Sequence, residues 1–528
     1  MSHLPLPGIA AAPELNRTWR RPGRGGPIVG ISAAIALALL APLALIVLDA
    51  RSGGWGEFHR VLFRSRSLFL LGHTVLLAAI VAVLSATIGT AAAWATERIA
   101  LPGRRLWTVM LVLPVAVPDF VTGYAWHSIS PRMTGLLGAS IVMTLGTYPL
   151  VYLPVAAALR RADPAMEDTA HSLGAGRLAA FFRVTLPLVR TAVLGGCVLV
   201  VLTVISEYGA FEIMRYQTFT TEIFTEFKFD SAAAGVLSVP LVVLGLLVLL
   251  IEVIIPRRMA TRTAPRRTPL PLRLGRRIAP VMIGLGAVVA LGVGVPLGAL
   301  VYWMVQSQHT TLPATATLAS ATWTTFRYSA WGAGTAVVLA LPVAMMTFRR
   351  STLPRLALQR ATYVTQALPG VVIALSLVYF ATRYVFGLYQ STVLLVAAYA
   401  IMHFPLALVC VRTSVAQAPP KLTDVGRSLG RGSVAVFFRV TLPLLAPGLL
   451  AGFCLVFLTA VTELTATLVL APIGVQTLAT QFWAFQSEVA YGAAAPYALV
   501  MVGLAMVPGG LLALWFDRER LAGAEAAQ

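Results

Sequence analysis

The chain has 528 residues, 58% hydrophobic and only 11% charged, with a formal net charge of +20 and a mean hydropathy of +0.82. That apolar content exceeds what a globular core uses and excludes a soluble enzyme. A nucleic-acid binder is excluded too, because the arginines are spread between apolar runs with no aromatic-interleaved basic patch.

In chain order, residues 1–27 form a basic tail with Arg17, Arg20, Arg21 and Arg24. The apolar run behind it is too long for a secretory leader and lacks a small-residue cleavage site, so it reads as an uncleaved first span. Long apolar runs such as 30–48, 68–95 and 238–255 predict helices in lipid, not a barrel of short alternating strands. A first half, 28–255, holds six predicted spans at about 28–49, 68–96, 106–129, 137–160, 190–210 and 232–255. An Arg/Pro-rich linker follows at 256–278, with eight arginines between Arg257 and Arg277 and prolines at Pro256, Pro265, Pro269 and Pro271. The second half, 279–516, has spans near 279–303, 322–347, 357–381, 388–412, 445–466 and 494–516, and 517–528 is a C-terminal tail. The expected fold is an all-α polytopic membrane protein of about 12 helices in two six-helix halves. With both termini cytoplasmic, 31 of the 40 Lys and Arg residues face the cytoplasm and 9 face outward, the orientation that the positive-inside rule selects. Arg51, Arg60, Arg64 and Arg66 are exceptions, expected along the outer headgroups. Cys197, Cys410 and Cys454 lie in or beside apolar spans and read as buried thiols.

Each half carries the same cytoplasmic loop. Ser172 to Leu188 and Ser428 to Leu444 are identical at thirteen of seventeen positions, at a constant offset of 256. In the first copy Asp163-Pro164 opens a short helix and Gly174 closes it, with Met166, Ala170 and Leu173 as a narrow apolar stripe and Glu167 and Asp168 in the early turns. In the second copy Pro420 opens, Leu422, Gly426 and Leu429 form the stripe, Asp424 matches Asp168, and Gly430 closes. Such a helix is too short to cross a bilayer and suits a groove on a partner.

Both copies resemble the EAA loop of permease subunits in binding-protein-dependent ABC importers: Glu-Ala-Ala, three residues, Gly, nine residues, then Ile-x-Leu-Pro. Asp168-Thr169-Ala170, Gly174 and Val184-Thr185-Leu186-Pro187 fit that spacing, as do Asp424-Val425-Gly426, Gly430 and Val440-Thr441-Leu442-Pro443. Asp replaces Glu in both copies, Thr169 replaces Ala, and Val425-Gly426 replaces Ala-Ala. The resemblance implies that loops 163–187 and 419–443 are coupling elements for an ABC ATPase homodimer on the cytoplasmic face, with Asp168, Ala170, Gly174, Leu186, Pro187, Asp424, Gly426, Gly430, Leu442 and Pro443 at the contacts. It also implies an extracytoplasmic solute-binding protein, a bacterial plasma (inner) membrane location, and ATP with Mg held by the ATPase. This chain has no phosphate loop of its own, since its only lysines, Lys228 and Lys421, lack the glycine spacing. No HExxH, CxxC or GxSxG signature is present, so no catalytic residue or resident cofactor is expected and the chain does not read as an enzyme. His171, inside the loop, reads as a solvated or interface residue and not a catalytic one.

Glu207 and Glu463 share the 256 offset and follow the fifth span of each half. Carboxylates so near lipid need water, a partner or a cation, which makes them candidates for the translocation pathway and, at most, for metal contact; ordinary helix-end hydrogen bonds are the competing reading. Ser206-Glu207-Tyr208-Gly209-Ala210 and Phe219-Thr220-Thr221-Glu222-Ile223 resemble ferric-iron permeases, which usually show Ser-Glu-Phe-Gly-Ala and Phe-Thr-Thr-x-Ile; Thr462-Glu463-Leu464 and Gln476 to Thr480 form a similar second-half counterpart. The implied cargo is ferric iron, which prefers oxygen ligands. Residues 207–231 carry a net charge of −3, which could draw a cation or dock the binding protein. Thiamine, polyamines, sulfate or phosphonates remain alternative cargoes, and a gradient-driven secondary transporter is the alternative of another class.

Overall fold

The computed structural model describes residues 26–162, 165–254, 272, 274–307, 312–347, 361–362, 364–418 and 420–525. Among them the chain is helical, with a single isolated parallel bridge between Ile99 and Leu272. Among the described residues ten helices are long and apolar enough to cross a membrane, or eleven if one bent pair is a single span.

The first half runs α1 (Gly26–Ser52), a short amphipathic α2 (Gly54–Leu62), α3 (Ser65–Arg98), α4 (Arg104–Val112), α5 (Asp119–Ile129), α6 (Gly135–Thr147), α7 (Pro149–Arg161), α8 (Ala165–Ser172), α9 (Arg177–Ala180), α10 (Leu186–Ser206), α11 (Gly209–Ile213), α12 (Phe219–Phe227) and α13 (Ser231–Ile254). The second runs α14 (Ile278–Val289), α15 (Val295–Gln306), α16 (Thr315–Thr347), α17 (Gly370–Tyr384), α18 (Thr392–Gln417), α19 (Pro420–Ser428), α20 (Ser433–Val436), α21 (Leu442–Val461), α22 (Thr465–Leu470), α23 (Leu478–Ser487) and α24 (Tyr491–Glu525). From α3 onward most elements recur in the second half, with α6 and α7 answering to the single α18. In each, three helices pack into a bundle: α3, α7 and α10 in the first, α16, α18 and α21 in the second. Small residues permit the close crossings that lipid-immersed helices rely on. A Cβ on Gly196 of α10 would fall 2.7 Å from the Val151 Cα; Gly452, 256 residues later, sits at the matching crossing beside Cys410 and Ala407.

The leading helix of each half binds the other half. The α1 helix packs on α13 of its own half and on α16 and α17 of the second, while α15 packs on α24 of its own half and on α5 of the first. This reciprocal strapping makes one body of two repeats, related by a pseudo-twofold axis of the parallel kind.

Several spans differ from the sequence expectation; the ninth, expected over 357–381, is among the described residues a 15-residue helix, Gly370–Tyr384. The third, expected as one run over 106–129, is broken: Arg104–Ala116 and Asp119–Ile129 meet at 89°. Val117 is extended, as a residue before proline tends to be, and Pro118 starts the new helix. The fifth and eleventh spans begin about ten residues earlier than expected, at Leu178 and Ser433, each running 29 residues. They gain that length through π turns at Phe181–Thr185 and Phe437–Thr441, both reading Phe-Phe-Arg-Val-Thr. The cause is the proline two residues on. Pro187 and Pro443 offer no N–H and crowd the carbonyl four residues back, so the turn widens and Leu186 and Leu442 donate to Phe181 and Phe437, five residues back. A third π turn, Ala290–Gly294, precedes Val295-Pro296 in the same way.

Candidate functional site

Helices α8 and α19 occupy matching places in the two halves, each between a bundle helix and the π turn of the next. Both end in the same hydrogen-bonded motif. Gly174 and Gly430 are left-handed, at φ +83° and +78°. Gly174 N–H donates to His171 O and Ala175 N–H to Ala170 O, both at 3.0 Å; Gly430 N–H donates to Arg427 O at 3.0 Å and Arg431 N–H to Gly426 O at 3.3 Å. This is the glycine-closed helix end in which orphan carbonyls are satisfied by a chain reversal. Asp163 and Pro164, read as the opening cap of α8, lie outside the described residues.

The predicted stripe divides in two. Its small members face inward: Ala170 and Gly426 are half-buried, and a Cβ on Gly426 would lie 3.2 Å from a Val436 methyl. Its large members face outward, with Met166, Leu173, Leu422 and Leu429 all exposed. Leu178 with Val434, and Phe182 with Phe438, are further exposed pairs at the same offset. They belong to the same repeated segment, and their recurrence in both copies is the signal by which the sequence could have revealed them. Asp168 is exposed on α8 and Asp424 lies on α19. Leu186, Pro187, Leu442 and Pro443 are the first residues of α10 and α21, Leu186 and Leu442 half-buried and both prolines exposed. His171 is exposed, its Nδ1 3.0 Å from Ala175 O.

At the other end of α10 and α21 the two glutamates sit at helix breaks. Glu207 Oε1 accepts from Ala210 N–H at 2.8 Å, and Glu463 Oε1 accepts from Ala466 N–H at 3.0 Å, so each carboxylate starts the short helix that follows it. Their carbonyls accept from threonines, Thr220 Oγ1 at 2.6 Å and Thr467 Oγ1 at 2.7 Å. The two breaks meet at the seam: a Cβ on Gly209 would lie 2.9 Å from Leu464 Cδ2 and 2.8 Å from Phe120 Cβ. Glu207 is an electrostatic neighbour of both Glu463 and Asp119. Asp119, the first residue of α5 after the Pro118 break, is a third carboxylate at this seam that the sequence reading missed. Among the described residues no three His, Cys, Asp or Glu side chains gather to hold a metal ion.

The short helices after the breaks are held by a device that both halves share. Thr218 N–H donates to Thr221 Oγ1 at 2.9 Å and Thr477 N–H to Thr480 Oγ1 at 3.0 Å, reciprocal capping at the start of α12 and α23. The next residue in each, Phe219 or Leu478, donates its N–H to a threonine of the long helix beside it, Thr74 at 3.2 Å or Thr325 at 2.8 Å. Among the described residues only the first half adds ion pairs. Arg66 grips Glu222 at 2.5 and 2.6 Å, and Arg64 reaches Glu226 at 2.9 Å and Glu222 at 3.3 Å. Arg64 and Arg66, expected along headgroups, are thus paired to α12, and two acids of the −3 segment are matched by cations. Cys197 and Cys410 are half-buried and Cys454 is buried, all as free thiols.

Two bundles related by an internal repeat, each with a glycine-closed helix and a carboxylate-marked break at the common seam, define a helical transport permease of two halves. The chain belongs to the family of binding-protein-dependent transport system inner membrane components, whose model matches residues 86–261 and 336–518. It is a multi-pass protein of the inner membrane and a transport subunit. It is 34% identical over 489 residues, 90% of this chain and 96% of the other, to the Fe(3+)-transport system permease protein FbpB 2 of Haemophilus influenzae. The ferric transport system permease protein FbpB of Actinobacillus pleuropneumoniae is 22% identical over 514 residues, 88% of this chain and 72% of that protein. The sulfate transport system permease protein CysT of Salmonella typhimurium is 27% identical over 192 residues, 33% of this chain and 69% of that protein.

Proposed function

We propose that the chain is the complete membrane pathway of an ATP-driven importer for ferric iron, powered by two copies of a separate ATPase that seat on α8 and α19. The observation that carries this is the repetition of one exposed surface. Met166, Leu173, Leu178 and Phe182 recur as Leu422, Leu429, Val434 and Phe438, so two identical ATPase subunits can each find the same apolar contact. ATP and Mg belong to those subunits. The charge distribution supports placing this face, and both termini, in the cytoplasm.

A loaded binding protein docks on the opposite face, and closure of the ATPase dimer moves α8 and α19. Each passes its motion through a π turn into the long helix behind it, α10 or α21, whose far end is the glutamate break at the seam. Alternating access then consists of rocking two rigid bundles about the seam. Glu207, Glu463 and Asp119 border the cargo's route there, and oxygen donors suit a hard trivalent cation. The iron relative that spans nearly the whole chain supports this cargo; thiamine, polyamines, phosphonates and sulfate fall to the same test. A gradient-driven carrier has no use for paired docking helices.

In a deletion strain, expression of the chain with its ATPase and binding protein should restore growth limited by ferric iron and not growth limited by thiamine. Glu207→Gln with Glu463→Gln should lower iron uptake about tenfold or more while the ATPase still co-purifies, because the amides keep a helix-end acceptor and lose the charge. Unchanged uptake by the double variant removes the glutamates from the pathway. Rescue by thiamine alone replaces the cargo.

A further inference from the structure

We propose that Arg98 is the positioning residue of the first ATPase-docking helix, and that its contact with Glu167 is a two-position latch joined to the segment between the halves. The inference rests on the importer reading above.

Arg98 ends α3 and is 3% exposed, yet only its Nε is used: it donates to Glu167 Oε1 at 3.1 Å and Oε2 at 3.2 Å. A guanidinium normally takes a carboxylate as a fork, two N–H groups on two oxygens. Here both oxygens crowd one N–H, while Nη1 and Nη2 are buried with no hydrogen-bond partner among the described residues. Glu97, adjacent in sequence, is not the missing acceptor. It is held by Arg104 and by Arg160, the latter at 2.8 Å. A slide of α8 by one guanidinium nitrogen spacing would turn the end-on contact into a fork. The pair therefore has two stances, which is the property a moving coupling element needs.

The backbone beside Arg98 reaches further. Leu272, in the segment joining the halves, donates its N–H to Arg98 O at 2.8 Å and accepts from Ala100 N–H at 3.0 Å. Movement of α8 against Arg98 is thereby felt at the connection between the bundles. At the 256 offset the residue matching Glu167 is Thr423, which carries no charge for such a pair.

The test uses the full complex of permease, ATPase and binding protein in proteoliposomes, reading ATP hydrolysed per solute imported. Glu167→Gln should raise that ratio roughly fivefold or more, the low end for a coupling of allosteric size, with ATPase co-purification unchanged because Met166 and Leu173 are intact. The double variant Arg98→Met/Glu167→Gln removes the unpaired buried charge that could unfold the single one, and should show the same ratio. Arg98→Lys, which keeps the charge and loses the fork, should fall between. A wild-type ratio in the double variant overturns the latch, as does a loss of ATPase binding that fully accounts for lost import. If the wild-type complex imports without ATP, the importer reading itself fails, a result distinct from either.

Discussion

The first half carries thirteen aspartates and glutamates between residues 28 and 255, while the second carries three, Asp424, Glu463 and Glu488, between 279 and 516. Every ion pair recorded among the described residues lies in the first half. Yet both halves keep the glycine-closed helix, the proline-driven π turn, the glutamate at the break and the threonine-capped short helix. What the two halves share is largely uncharged geometry, plus one acid on the glycine-closed helix, the arginine of the π turn and one acid at the break. The difference separates the geometry that both repeats keep from the ion-pair anchoring that, among the described residues, one half supplies.

The seam offers the sharpest way to break the comparison. Gly209 and Thr465 occupy the same place in the repeat, but only the first is pressed between Phe120 and Leu464. Gly209→Thr, which makes the first half read like the second, should destabilise the protein by about 2–3 kcal/mol through overpacking. Thermal unfolding in detergent measures it. The reciprocal Thr465→Gly removes a side chain and adds backbone freedom, for about 1 kcal/mol. Equal losses from the two exchanges would mean that the seam is symmetric after all.

The ion pairs come next. Glu222→Gln leaves Arg66 and Arg64 without their shared carboxylate. Glu222 is buried, but Arg66 is 45% exposed on its side chain and Arg64 32%, so water recovers much of the loss and about 1–2 kcal/mol is expected. Proteolysis within 207–231 should rise while the second-half segment, 462–490, stays resistant. Opening of both segments together would show that the halves are not independently anchored.

Much of this was legible in the sequence. Hydropathy located most of the spans, because lipid forces long apolar helices, and the offset of 256 exposed both glycine-closed loops and both glutamates. The bend at Pro118 was not seen, since Pro114 and Pro118 sit in a run apolar enough to read as one helix. Asp119 escaped for a related reason: a search by internal symmetry finds only what both halves keep, and the residue matching Asp119 in the second half, after Pro369, is Gly370. The Arg66–Glu222 contact joins residues 156 apart, a pairing set by how α12 folds back on α3 and not by any local pattern. The π turns had a sequence cause, a proline shortly behind Phe-Phe-Arg-Val-Thr, but proline at a helix start also reads as an ordinary first turn.

The smallest effect tests the shared geometry itself. Gly174 and Gly430 have nearly the same left-handed backbone, and a Cβ at either would meet nothing within 4 Å. Alanine at either place is therefore opposed only by its own backbone, at about 1 kcal/mol. Because the surroundings contribute nothing, Gly174→Ala and Gly430→Ala should lower stability equally, even though α8 is also tied to Arg98 and its repeat position in α19, Thr423, has no charge to tie. Transport should separate them where stability does not. A frayed α8 is still held by Glu167, so Gly174→Ala should retain more import than Gly430→Ala. The opposite order would make α19 the better anchored of the two.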